Sequence, residues 1–133
     1  MDSSIYKKTE NYITDLFQKM NATQLVFHNL HHTETVVQRA KEIAAHYELS
    51  ERNVLVLFIA AWFHNAGYLF TVAPGHELKG VELMKSFMLI NMNEPVLIKE
   101  IEDCIMSTKS PRAPKTLLEE ILCDADTYHF GTK

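Results

Sequence analysis

No stretch of this chain alternates polar and apolar residues over a useful length, so there is little in it that asks to be a β-strand. Residues 55–59 would tolerate a strand reading, but the length and caps of the surrounding segment favour a helix. Positive charge is not in excess. Thirteen lysines and arginines face 17 aspartates and glutamates, a net charge of −4, which removes the usual electrostatic reason for a nucleic-acid partner. Cysteine occurs only twice, at Cys104 and Cys123, too far apart for a CxxC centre. Reduced, buried thiols are expected, as in a cytoplasmic protein. The amino terminus, MDSSIYKKTENY, has no apolar core of the kind a signal peptide carries. The longest apolar run, residues 54–63, is about half a membrane span, so no membrane partner is expected. No repeat, low-complexity segment or linker interrupts the chain, so residues 1–133 are expected to form one domain around one core. At 47% hydrophobic and 23% charged, the composition is ordinary for a globular protein.

What the chain does have is helical periodicity. Ile5, Tyr12, Ile13, Leu16, Phe17 and Met20 fall roughly on one face of a first helix. Val36, Val37, Ala40, Ile43, Ala44 and Tyr47 continue the pattern in a second, over residues 28–47. Ser50 is a good N-cap for a third, over 51–66, with Gly67 as its stop. That helix is apolar nearly all round, which marks it as central and buried. A Pro74-Gly75 turn precedes a fourth helix from His76 to about Ile90. Asn93, Glu94 and Pro95 open a fifth that reaches about Thr108. A basic, proline-containing loop over 109–114 leads to a short sixth helix over 116–123, followed by Asp124-Ala125-Asp126. The expected class is all-α, with about six helices.

Three histidine- or aspartate-bearing words stand at the edges of these apolar helices. They are FHNLHHTETVV (residues 27–37), AAWFHNAGY (60–68) and ILCDADTYHFG (121–131). His28 and His32 are four apart and share a helix face, with His31 close by. Spacing leaves open whether His31 or His32 turns inward. His64 ends the buried helix, where an imidazole needs a partner or a metal. Imidazole and carboxylate together are the usual ligands of zinc, iron, manganese or nickel.

The order and spacing of these words resemble the HD superfamily of metal-dependent phosphohydrolases: a histidine, a His-Asp doublet, and a distant aspartate. The resemblance runs from residue 27 to residue 131. It implies an HD-domain helical bundle that hydrolyses a small phosphate ester, most simply a nucleotide. Hydroxide made on one divalent ion (Mn, Fe, Zn, Ni or Mg) would attack phosphorus. The implied ligands are His32, His64, Asn65 and Asp126, with Asp126 selected over Asp124 by the family's Ala-Asp word. His28 aligns with a histidine that protonates the leaving oxygen in some phosphodiesterase relatives, and Asp126 is counted with it as catalytic. His76 resembles an extra histidine of members with a second metal, whose further histidine is replaced here by Ser107 or Thr108. His76, Lys79, Lys109 and Arg112, with Lys115 beyond them, are candidates to meet a substrate phosphate. Solubilising surface charge is the other reading of the basic residues.

The chain departs from the family at Asn65, where the doublet's aspartate is expected. An amide keeps one carbonyl oxygen and removes the negative charge, so affinity for a dication should fall. The alternative reading is therefore a catalytically impaired binding or regulatory module on the same fold. A second departure is the end of the chain seven residues after Asp126, where relatives continue with a further helix. Self-association as a homo-oligomer would be one way to cover that face. Met84, Met88 and Met92 are a candidate surface for it, or else plain core.

Overall fold

The computed structural model describes the backbone of residues 3–20, 24–70, 75–109 and 113–131, and the side chains of 4–20, 30–67, 69–70, 75–109 and 113–127. The expected all-α bundle is what it shows. Among the described residues six helices follow one another: α1 (Ser3–Lys19), α2 (Gln24–Ala44), α3 (Glu51–Phe63), α4 (His76–Asn91), α5 (Pro95–Met106) and α6 (Leu117–Gly131). A 3-10 turn, Ala66–Leu69, lies between α3 and α4. Among the described residues there is no strand. No described helix is long and apolar enough to cross a membrane.

The architecture follows from α3. Ser50 caps it, its Oγ accepting from the Asn53 backbone N at 3.1 Å. Nine successive residues, Leu55 through Phe63, are buried. A helix apolar on every side must be enclosed on every side, and α3 lies against each of the other five helices. At its carboxyl end Phe63 meets Tyr12 of α1 at 5.7 Å and Phe87 of α4 at 5.6 Å, and Tyr12 meets Phe87 at 5.1 Å. Ring pairs of this kind contribute about 0.5–1.5 kcal/mol beyond the area they bury. This cluster fixes the chain just before His64.

Several boundaries differ from the sequence expectation, each for a local reason. α2 begins at Gln24, ahead of residue 28, and ends at Ala44. Tight bonds from His46 N to Ile43 O and from Tyr47 N to Ala44 O then wind the chain down, and Glu48 reverses it at φ 52°. α3 stops at Phe63, three residues short, with His64 as its C-cap. Gly67 is therefore no left-handed helix stop. The 3-10 turn passes so close to α4 that a Cβ on Gly67 would lie 1.8 Å from the His76 carbonyl oxygen. Gly80 repeats the device, since a Cβ there would be 2.8 Å from the Phe63 oxygen. α6 is not short. Thr116 Oγ1 accepts from Glu119 N at 3.2 Å, and Glu119 Oε1 accepts from Lys115 N at 2.9 Å. This reciprocal cap was readable as Thr-x-x-Glu, and it launches a helix that runs through Asp124, Ala125 and Asp126. Met84 and Met88 are fully buried and Met92 is half-buried against the core, which is the core reading of the methionine stripe.

Replacing Gly67 by alanine is expected to cost about 2–3 kcal/mol, because backbone atoms must move to admit the methyl group. Gly75 (φ 102°) has nothing within 4 Å of its Cβ position, and its alanine variant should lose only about 1 kcal/mol of stability, from backbone strain. Urea denaturation midpoints of the two variants compare the effects. Equal losses would show that close approach is not what Gly67 provides.

Candidate metal centre

The buried stripe of α2 is Thr33, Val36, Val37, Ala40 and Ala44, and His32 stands at its edge. His31 is exposed, so of the two it is His32 that turns inward. On α6, Leu122 and Ala125 are buried and Asp126 extends their face, while Asp124 is exposed. His64 comes from the end of α3 and is 1% exposed. Three helices thus deliver two imidazoles and one carboxylate to a single point.

The geometry there is tight. Asp126 Oδ1 lies 3.0 Å from His32 Nε2 and 3.2 Å from His64 Nε2. All three ligand atoms fall within 4.8 Å of one another. The His64 tautomer is constrained, because its Nδ1 lies 2.7 Å from the Ala61 carbonyl, which can only accept. Nδ1 therefore carries a proton and donates. The neutral ring then presents a lone pair at Nε2, facing a carboxylate oxygen. Two lone pairs repel at that distance unless a proton or a cation lies between them. Donor atoms sharing one ion with bonds of about 2.1 Å, at right angles, are about 3.0 Å apart. The observed spacings match that value, so the residues present fit a divalent ion. The carbonyl behind His64 is the kind of partner that orients metal-binding imidazoles.

Asn65 is buried beside His64, with φ −109° and ψ 0°, and begins the 3-10 turn without a side-chain capping bond. His76 opens α4, held against Gly67, and is buried. Its Nε2 lies 2.9 Å from Glu77 Oε2. Burial pushes the His76 imidazole below its ordinary pKa; the Glu77 and Asp126 carboxylates oppose the shift and nearby His64 adds to it. Its electrical neighbours are thus the same residues that form the centre. Glu77, 6% exposed, is the residue sequence reasoning missed. Its signal was an acid on the apolar stripe shared by Gly80, Val81, Met84, Phe87 and Met88.

Lys79 Nζ pairs with Glu82 at 3.4 Å and stands 5.4 Å over the Phe70 ring. Lys109 and Lys115 line a groove of about 450 Å3 with Asp103 and Glu119. The hydroxyls of Ser107 and Thr108 are turned back on the end of α5, bonded to the Cys104 and Ile105 carbonyls at 2.7 Å each. The side chains of His28 and Arg112 lie outside the described residues. Cys104 and Cys123 are both buried thiols, the Cys123 Sγ donating to the Ser107 carbonyl at 3.3 Å, and burial pushes the Cys104 thiol up to about 12.

Fold and site together define an all-α domain built around a His/His/Asp centre. The HD domain family model matches residues 29–131, and the chain belongs to that family of metal-dependent phosphohydrolases, whose members typically bind divalent metals. No curated protein and no solved structure matches it.

Asp126→Ala should weaken manganese or zinc binding by more than about 100-fold in calorimetry, since even outer-shell partners typically cost 10–100-fold. Asp124→Ala, on the exposed face, should leave it unchanged; equal effects would remove Asp126 from the centre. His76 adds a pH dependence of known sign. Its folded pKa is depressed, so below about pH 6.5 the unfolded chain takes up a proton that the folded chain refuses. Metal-free protein should lose stability as pH falls through that window. In His76→Gln the fall should be shallower by the contribution of one proton, as measured by denaturation midpoints.

Proposed function

We propose that the protein is a metal-dependent phosphohydrolase acting on a small phosphate ester, a nucleotide being the first class to test. His32, His64 and Asp126 are the proposed ligands of one divalent ion. The observation that carries this reading is the pair of imidazole Nε2 atoms at 3.0 and 3.2 Å from one carboxylate oxygen. A bound dication there supplies an acidified water and polarises a phosphoryl oxygen.

The rest belongs to the chain. Ala61 O holds the His64 ring so that Nε2 faces the centre. Asp126 contributes the negative charge that makes the site attractive to a cation. The wall is closed by buried His64 and Asp126, and half-buried His32 leaves the open side from which substrate would enter. His28, one helical turn before His32, is the proposed proton donor to the leaving oxygen. His76, kept neutral by its surroundings, can accept a proton or a hydrogen bond beside the centre.

Asn65 supports a second reading. A buried neutral amide next to His64 leaves Asp126 as the one carboxylate of the converging set, which under-neutralises a dication. The chain would then bind a nucleotide or a partner with catalysis lost. Hydrolysis of a nucleoside monophosphate and cyclic nucleotide panel with added manganese tests the first reading. Asn65→Asp decides between the two. A gain of about tenfold or more in metal affinity, together with hydrolysis, identifies a catalytic centre limited by one charge. A variant that gains neither favours the binding module.

A further inference from the structure

Away from the His/His/Asp centre, α1, α2 and α3 leave between them a groove of about 420 Å3. Small-molecule sites occupy about 300–1,000 Å3. The groove lies at the opposite end of the α2/α3 pair from the centre. Its α3 lining, Val54 to Phe58, precedes His64 by six to ten residues, about 9–15 Å along the axis. Its α2 lining, Val37 to Ala44, follows His32 by five to twelve, about 8–18 Å. Besides Val37 and Lys41, α2 presents the small side chains of Ala40 and Ala44 there, which leaves room above a floor of buried Leu57 and Phe58.

The mouth is charged. Lys7, Glu10 and Lys41 are exposed around it, an excess of one positive charge. Lys41 Nζ stands 5.4 Å over the Phe58 ring, whose edge is met by Tyr6 at 4.6 Å. An ammonium held over an aromatic face is positioned by that face. Among the described residues neither Lys7 nor Lys41 is paired with a carboxylate, although acids outnumber bases in the chain. An apolar floor beneath two unpaired cations is complementary to one kind of molecule.

We propose that this groove is a second ligand site, separate from the metal centre, for a small amphipathic anion. A flat or chain-like apolar body would lie against Leu57 and Phe58, and a single carboxylate or sulfonate would meet Lys7 and Lys41. The site stands independently of any hydrolytic activity, since none of its residues belongs to the centre.

The test uses the metal-loaded full chain, with 8-anilinonaphthalene-1-sulfonate as fluorescent probe, decanoate as competitor and decanol as its uncharged counterpart. Saturable binding of one probe per chain is expected, with the native near-ultraviolet circular dichroism retained and decanoate competing better than decanol. The double variant Lys7→Ala, Lys41→Ala should bind decanoate up to about fivefold more weakly, as exposed charge contacts allow. Ala44→Phe, which fills the groove from the last residue of α2, should weaken the probe by about tenfold or more. Both variants should keep the metal stoichiometry of the parent. Equal competition by decanol, no response to either variant, or binding only once the near-ultraviolet signal is lost would overturn the proposal. So would absence of saturable binding in a chain that dimerises and is made monomeric by Ala44→Glu, which would give the groove to a second copy.

Discussion

The enclosure of α3 is the constraint on which the rest of this structure depends. Nine consecutive buried residues cannot be satisfied by a single neighbour, so the remaining helices are recruited around one axis. The same enclosure sets where chemistry can occur. The first residue past the apolar run is His64, whose ring is polar, 1% exposed and unable to reach water. Its Nδ1 takes the nearest acceptor, the carbonyl of Ala61, and its Nε2 is left for whatever α2 and α6 bring to it. A buried histidine at the end of an apolar helix thus becomes a demand, and His32 and Asp126 answer it.

A second constraint operates where the chain leaves α3. Gly67 and Gly80 let backbone approach backbone, at the His76 oxygen and the Phe63 oxygen respectively. That approach seats the first turn of α4 beside the centre and carries His76 and Glu77 with it. Packing and electrostatics are linked here. The contact that closes the core also buries an imidazole near His64 and Asp126, and burial keeps that imidazole neutral at lower pH than usual. Asn65 lies in this crowded corner. Charge is the property in which it differs most from aspartate, since the two have nearly the same size, so fold and pocket shape are compatible with either.

Much of this was legible in the residues. Ser50 announced the cap of α3, the unbroken apolar run announced its burial, and the order of the three histidine- and aspartate-bearing words announced the family. The length of α6 was legible too, in the Thr116 and Glu119 pair, although the sequence reading ended the helix at Cys123, before Asp124-Ala125-Asp126. A C-terminal stop at Gly67 was a reasonable inference from glycine's usual role. It failed because glycine serves two purposes, backbone freedom and absence of a side chain, and sequence does not say which is in use.

What the sequence by itself determined is the set of helices, the central place of α3 and the chemical identity of the candidate ligands, because periodicity and residue type are local properties. The family resemblance had already selected His32 and Asp126, but only the tertiary structure showed that His31 and Asp124 are turned out to solvent and that Glu77 is buried against His76. It also decided that Lys109 lines a different groove, with Asp103 and Glu119. Those choices depend on the rotation of each helix about its own axis. That rotation is set by which face the neighbouring helices bury, and a difference of one residue is a turn of about 100 degrees.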